Sequence, residues 1–389
     1  MTRHRIRKVA ITTGGGDAPG LNAVIRAIAL SSLRRGWECV GIRDGFNGLL
    51  VPEEFPEGGL VPLTRHAVAG IAHLGGTILG TTNRGNPESY PVQLADGTWV
   101  EKDLTDELIK RYHAAGIDAL IVIGGDGSLG IGDRLSRRGL RVIGVPKTID
   151  NDLDRTFMTF GFDSAVSFAT ECLDRLHTTA TSHRRLMVVE VMGRYAGWIA
   201  LHAGIAGGAN IILIPEIPFD IERVADHVRQ RERERSKSTI VVVAEGATPV
   251  GGGLSVLGKE VGQQQKLGGI GEKIARMIEE RTGKEARGVV LGHLLRGGSP
   301  TSFDRLMALR FGAAAVRALD HGQSGVMVAL AASGLQHVPL SDALRRMKTV
   351  PLTSDTVDTA RDLGICFGDD PETAPGAAHV RHEALPPHE

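Results

Sequence analysis

The chain has 389 residues, enough for two or three domains, and its 42% of apolar residues can fill a sizeable core. Its 45 basic and 45 acidic side chains cancel with no long basic run, which argues against nucleic acid as the main partner. A local basic pocket for a small anion stays open on these numbers. Cys39, Cys172 and Cys366 are far apart and odd in number, so neither a disulfide framework nor a paired-cysteine metal site is expected.

The first residues, Met1 to Arg5, are basic but run straight into a strand-like segment without the apolar stretch of a signal peptide. No apolar run is long enough to cross a bilayer, and the expectation is a soluble, cytoplasmic protein with no membrane partner. Val9–Thr12 reads as a strand, followed by a glycine loop and an apolar helix from about Asn22 to Arg34. Ala119–Ile123 and Val142–Val145 are short apolar runs, and Ser164–Ser182 has helical spacing through Val166, Ala169, Leu173 and Leu176. Leu186–Val189, Ile211–Ile214, Ile240–Val243, Val289–Leu291 and Val326–Ala329 continue the strand series, with a charged, solvated helix expected over Glu222–Lys237. Continuous apolar strands alternating with helices predict an α/β protein with mostly parallel sheets covered on both faces. After about Pro351 the strand signals fade, and the tail from Pro371 is expected to be loose.

In such sheets ligands gather at the carboxyl ends of the strands, and that is where the unusual residues fall. Thr12–Asn22 joins the first strand to the first helix through Gly14-Gly15-Gly16, whose amides favour an anion and which also suit a tight turn. No Gly-Lys-Ser/Thr follows, so it is not a P-loop. Gly124-Gly125-Asp126-Gly127-Ser128 places an acid between glycines after the second apolar run. A carboxylate beside phosphate is unfavourable unless it binds a metal or takes a proton, so Asp126 reads as a Mg2+ ligand, with a helix cap as the simpler alternative. Pro146-Lys147-Thr148-Ile149-Asp150-Asn151-Asp152 could supply a base and a hydroxyl for phosphate, and its composition also suits an Asx-rich turn.

Met192-Gly193-Arg194 follows another strand, with His183, Arg184 and Arg185 just before it, and His293-Leu294-Leu295-Arg296-Gly297-Gly298 follows yet another. Arginine forks match phosphate oxygens, and gathering several from separate loops suits a sugar phosphate. Glu245 could accept bonds from sugar hydroxyls, or serve in a local ion pair. The fourteen histidines show no metal-site spacing, His177 reads as structural, and Tyr195 and Trp198 read as packing. Together the two acid-bearing turns suggest phosphoryl transfer to an alcohol.

GGDAPGLN, GGDGS, PKTIDND, EVMGRYAGW and GHLLRGGSP stand in the order and spacing of the 6-phosphofructokinase family, which the chain resembles from about Lys8 to about Lys348. The resemblance implies two Rossmann-like three-layer domains with the active site in the cleft between them. Residues 1–150 with about 265–315 would bind nucleotide, about 151–264 with 316–350 would bind the sugar phosphate, and 351–389 would be an extension with a loose tail. It implies transfer of a phosphoryl group from ATP to the 1-hydroxyl of fructose 6-phosphate in glycolysis, with Mg2+. Gly15, Arg84, Gly85, Gly125, Asp126, Gly127 and Ser128 would hold the nucleotide, with Asp126 serving the metal. Asp150 would be the base, with Thr148, Asp152 and Arg194 also catalytic. Thr148, Ile149, Asp150, Met192, Gly193, Arg194, Glu245, His293 and Arg296 would bind the sugar phosphate. Arg185 and Arg287 match arginines that the family supplies from a neighbouring subunit, implying a homo-oligomer, usually a tetramer, with a dimer as the smaller possibility.

The donor follows from two positions. Glycine after the GGD aspartate goes with ATP in this family, and a second aspartate goes with pyrophosphate. Gly127 therefore implies ATP, while Lys147 resembles the pyrophosphate-using form. Repulsion discriminates more strongly than attraction, so Gly127 decides, and the mixed pattern resembles the family's intermediate branch. Asn210 stands where allosteric bacterial members carry an acid, which implies a weak or absent response to ADP and phosphoenolpyruvate. The alternatives are a pyrophosphate-dependent enzyme on the same fold and a non-catalytic sugar-phosphate-binding regulator. NAD and diacylglycerol kinases share a GGDG turn but would leave PKTIDND and MGR unexplained.

Overall fold

The computed structural model describes residues 5–258 and 266–370. The expected loose tail from Pro371 lies outside the described residues. In chain order the strands are β1 (Lys8–Thr13), β2 (Glu38–Ile42), β3 (Leu60–Pro62), β4 (Tyr90–Gln93), β5 (Trp99–Lys102), β6 (Ala119–Gly124), β7 (Val142–Pro146), β8 (Leu186–Val191), β9 (Ile211–Leu213), β10 (Thr239–Ala244), β11 (Val256–Gly258), β12 (Lys266–Leu267), β13 (Ala286–Val290), β14 (Val326–Ala331) and β15 (Gly334–Pro339). The helices are α1 (Leu21–Arg34), α2 (Asn47–Leu50), α3 (Thr105–Ala114), α4 (Asp126–Arg137), α5 (Phe162–His183), α6 (Trp198–Ala206), α7 (Ile221–Arg233), α8 (Ile270–Thr282), α9 (Ser302–Asp320), α10 (Leu340–Ala343) and α11 (Asp355–Asp362).

The described residues divide into two compact units, the first holding residues 5–172, 256–258, 266–268 and 291–348, the second 173–255, 269–290 and 349–370. In the first unit seven strands lie in the order β15-β14-β7-β6-β1-β2-β3. The inner pairings are parallel, with Val9 opposite Ala119 and Ile121 opposite Ile143, while β3 and β15 close the edges antiparallel. Side chains alternate across the sheet as strand geometry demands. Val9, Ile11, Ala119, Ile121 and Ile123 face a core built with α1 and α9. Ala10, Leu120 and Val122 face a second core with Leu108 of α3, Leu129 of α4 and Leu340 of α10. The helices α1 and α9 approach closely because Gly312 is small: a Cβ there would stand 2.7 Å from the Val24 carbonyl oxygen. Strand order reverses direction at β1, with β2 on one side and β6 on the other, so the loops after β1 and β6 meet at a topological switch point.

The second unit holds four parallel strands in the order β13-β8-β10-β9. One face buries Leu186, Val188, Val241 and Val243 against α7 and α8, and α6 packs on β9 and β10. The charged helix α7 is amphipathic, burying Ile221, Val224, Ala225 and Val228.

Three differences from expectation concern chain assignment: residues 151–172, expected in the second domain, belong to the first unit, where Lys147 bridges Phe160 and Leu153 bridges Met347. Residues 316–348, expected in the second domain, belong to the first unit, because β14 pairs parallel with β7 through Val326 opposite Ile143. Residues 269–290 belong to the second unit, because β13 pairs with β8. Nor does regular structure end at Pro351: α11 follows, and Cys366 bridges Ile211 in parallel, extending the second sheet beyond β9.

Candidate active site

In the first unit three loops converge at the switch point. The Gly14 amide donates to the Ile123 carbonyl at 3.0 Å, tying the loop after β1 to the end of β6. Gly15 has φ 75°, a left-handed conformation that glycine adopts without a Cβ penalty. Ser128 fills the space that glycines 14 and 124 leave open: Cβ atoms there would stand 2.4 Å from Ser128 Oγ and 2.3 Å from Ser128 Cβ. Thr81 Oγ1 donates to the Gly15 carbonyl at 2.6 Å, and the Gly15 amide donates to the Thr82 carbonyl at 3.3 Å. These bonds draw the Thr81–Gly85 loop to the same place, with Arg84 exposed and Gly85 buried.

Asp126 is the first residue of α4 and is exposed, as is Gly127. The helix cap is Gly125, with no side-chain bond, so the cap alternative for Asp126 falls away. An unfilled helix N-terminus beside glycine amides is a ready anion site. A Cβ on Gly127 would meet nothing within 4 Å. Packing therefore does not require a glycine at this position.

The turn after β7 carries the densest charge. Lys147 is 3% exposed, and its amide donates to the Gly124 carbonyl at 2.9 Å. Its Nζ donates to the Gly16 carbonyl. Burial, helped by the nearby Arg296 charge, pushes its ammonium down to about 8, against the pull of Asp17, Asp150 and Asp152. The Asp150 amide donates to Thr148 Oγ1 at 3.1 Å. Burial and the charge of Asp126 raise the Asp152 carboxyl, opposed by a Thr148 hydrogen bond and by Lys348. A buried carboxylate with a second carboxylate near it is the electrostatic counterpart of a cation site. Among the described residues no group of three or more His, Cys, Asp or Glu could hold a metal. Mg2+ characteristically binds through one or two carboxylates plus substrate phosphates, so the pair fits it. Ile149 is fully buried, so its side chain is a spacer in the turn and not a ligand. Arg296 donates to the Asp17 carbonyl at 3.1 Å, and a Cβ on Gly16 would stand 2.7 Å from its Nη1. That places Arg296 against the loop after β1, while His293 is exposed.

In the second unit the loops after β8 and β10 are knitted together. Glu245 N donates to the Val191 carbonyl at 2.9 Å, and Gly246 N donates to the Gly193 carbonyl at 3.1 Å. Gly193 has φ 141°, where a side chain is strained. Thus Met192, Gly193, Arg194 and Glu245 form one rim at the carboxyl ends of β8 and β10. Tyr195, read from sequence as packing, is 47% exposed, and the Arg194 guanidinium lies 5.7 Å from its ring centre. Glu216 braces this rim from behind, both its oxygens accepting from Gly197 N at 3.1 Å and one accepting from Val350 N at 2.8 Å.

Arg185 and Arg287 do not join that rim. Arg185 pairs with Glu285 at 2.8 Å and Arg287 pairs with the same carboxylate at 2.6 Å. Arg185 immediately precedes β8, and Arg287 stands opposite Met187. They sit at the amino end of strands whose carboxyl end carries Arg194, about 20 Å away for six residues of strand. Sequence reasoning missed Asp17, Glu216 and Lys348 as parts of the site's support. Asp17 lay within a quoted motif, whereas nothing local marks Glu216 or Lys348.

A family model described as "Phosphofructokinase" matches residues 8–319. An ATP-dependent 6-phosphofructokinase of Chloroflexus aurantiacus is 50% identical over 364 residues, covering 94% of this chain and 98% of that protein. A pyrophosphate–fructose 6-phosphate 1-phosphotransferase of Amycolatopsis mediterranei is also 50% identical over 364 residues, covering 93% of this chain and 100% of that protein. The crystal structure of Pichia pastoris phosphofructokinase in the T-state matches with TM-score 0.73 and 30% identity, covering 93% of this chain, which spans 37% of that longer chain.

Proposed function

The chain belongs to the phosphofructokinase family, and on that premise we propose that it is an ATP-dependent 6-phosphofructokinase acting on fructose 6-phosphate. The observation that carries the choice of ATP is the empty space at Gly127. A carboxylate would fit there without touching the protein and would stand beside Asp126, in the space a nucleotide needs. Its absence removes a repulsion, in keeping with the ATP-dependent relative.

Asp150 takes the proton from the sugar's 1-hydroxyl as that oxygen bonds to the γ-phosphorus and the bond to the β-phosphate oxygen breaks. A base so placed contributes about 10²–10⁴-fold in rate. Asp126, with Asp152 beside it, would hold Mg2+, whose positive charge would offset that of the phosphates. Gly15, Arg84, Gly85 and Gly125–Ser128 bind the donor through backbone amides and a guanidinium. Lys147 and Arg296 put positive charge beside the loop after β1, where the transferring group gains negative character. Thr148 also binds phosphate. Met192, Gly193, Arg194, Glu245 and His293 bind the sugar phosphate. Arg185 and Arg287 act from a neighbouring subunit, a role that suits their place at the far end of their sheet, and the active form is a homo-oligomer, a tetramer or a dimer. A cytoplasmic location is part of this reading; separately, no helix among the described residues is long and apolar enough to cross a membrane.

A pyrophosphate-dependent activity is the second reading, favoured by Lys147 and by a relative of that name at equal identity. The deciding assay offers Mg2+ with ATP or pyrophosphate in parallel to the protein and fructose 6-phosphate. Turnover with ATP alone is expected. Turnover with pyrophosphate alone would reverse the donor assignment, and turnover with neither would sink the function.

A further inference from the structure

The turn that carries Asp150 is gripped by a segment distant in sequence. Leu153 bridges Met347 antiparallel, and the Lys348 amide donates to the Asp152 carbonyl at 2.8 Å. Arg346 pairs with Asp154 at 2.7 Å. The Lys348 Nζ donates to Asn151 Oδ1 at 2.8 Å and to the carbonyls of Thr156 and Phe157, both at 3.0 Å. Three acceptors match the three N–H groups of an ammonium.

Asn151 is the residue between the two acids of the turn. It is 4% exposed and has φ 51°, a left-handed conformation that a non-glycine residue keeps when its surroundings over-determine it. Those surroundings are specific: Asn151 Oδ1 accepts from Lys348 Nζ and from Thr159 N at 3.2 Å, and Thr159 Oγ1 donates to the Thr148 carbonyl at 2.8 Å. The reversal at Asn151 sets the directions in which Asp150 and Asp152 leave the chain. Lys348 lies beyond residues 8–319, the stretch that the family model matches.

We propose that Lys348 is a positioning residue: by clasping Asn151 and the Thr156 and Phe157 carbonyls, it holds Asp150 and Asp152 in the geometry that phosphoryl transfer requires. This rests on the reading of Asp150 as the base. It acts through the turn and touches neither substrate.

The test is steady-state kinetics of Lys348→Met, Lys348→Arg, Asn151→Gly, the Asn151→Gly/Lys348→Met double variant and Asp150→Ala, with fructose 6-phosphate and whichever donor the wild type uses. Thermal unfolding is followed alongside. Lys348→Met is expected to lower kcat about 10²-fold, the scale of a misplacement of about 1 Å, with KM for both substrates changed by less than about threefold. Asn151→Gly tolerates the backbone conformation but lacks the acceptor, and it is expected to lower kcat as well. The double variant is expected to be no worse than the poorer single, because the pair acts as one unit. Lys348→Arg is expected to recover part of the loss, since its planar fork keeps the charge but cannot converge on three acceptors. Wild-type kcat in Lys348→Met, losses that multiply in the double variant, or a loss matching the unfolded fraction would each overturn the proposal. Should Lys348→Met not fold, Asn151→Gly and Lys348→Arg decide it by the same criteria. An inactive Asp150→Ala beside a fully active Lys348→Met would sink only this inference, whereas an active Asp150→Ala would sink the base assignment itself.

Discussion

Gly127 stands exposed on the first turn of α4, and neither its backbone conformation nor its neighbours demand glycine. Aspartate there should therefore fold, and should place a second carboxylate beside Asp126. The expected outcome for Gly127→Asp is a fall of about 10²-fold in kcat/KM for ATP, the scale of one close like-charge contact at a partly screened site. Activity with pyrophosphate should be spared or gained. An unchanged preference in a two-donor assay would remove the argument from this residue. Lys147 illustrates the opposite case. Its charge was legible in sequence as a donor-side feature, but its burial against the Gly16 carbonyl was not, and burial is what lowers its pKa to about 8.

Among the elements, α5 and α9 begin side by side on one buried carboxylate. Asp304 is fully buried, and its Oδ2 accepts from both the amide and the hydroxyl of Ser164 at 2.7 Å. Burial raises its carboxyl from 3.8 to about 6 despite those bonds. The folded state thus holds this proton more tightly than the unfolded chain does. Between pH 3.8 and about 6 the unfolded state carries fewer protons here, so this group's contribution to stability is present at low pH and is lost as pH rises through the folded pKa. Asp304→Asn keeps an acceptor for Ser164 and cannot ionise. Across that window the wild type should lose roughly 2 kcal/mol relative to the variant. Denaturant titrations at pH 4 and pH 7 check this, and equal slopes with pH for both proteins would contradict it. Strand membership is a different matter. The apolar runs that became β13 and β14 were visible as strands, but which sheet each joins depends on hydrogen bonds across about a hundred residues or more of chain, and no local pattern encodes that choice.

For the whole molecule, the placement of Arg185 and Arg287 away from the Arg194 rim predicts active sites shared between copies. Mixing an Asp150→Ala protein with an Arg287→Ala protein should restore about a quarter of wild-type activity on random dimer exchange, because one site in each mixed pair is intact. No recovery after verified exchange would place both residues in the same subunit's site. Asn210 bears on regulation. Its side-chain oxygen accepts from Ile240 N at 2.9 Å and its carbonyl accepts from Cys366 N at 3.0 Å, so this position is engaged in holding β10 and the chain's last described segment together. Saturation curves for fructose 6-phosphate should be little changed by ADP or phosphoenolpyruvate. A strongly sigmoidal curve relieved by ADP would reverse that expectation.

The α/β class, the positions of the main strands and the residues carried by the turns after them were legible in the sequence. Each depends on short-range facts: apolar runs of strand length, helical spacing, and glycine, acid and hydroxyl side chains within one turn. Lys147, Thr148, Asp150 and Asp152 were named together because a single turn carries them. Only the tertiary structure decided which strands share a sheet, that residues 351–370 add to the second unit, that Ile149 points into the core, and that Arg185 and Arg287 share Glu285. It alone brought Lys348 onto Asn151, 197 positions apart. Burial and long-range hydrogen bonding arise from packing of segments that carry no mark of one another in the linear chain, which is why the turns that carry the proposed reactive groups could be read in sequence and the contacts that support those turns could not.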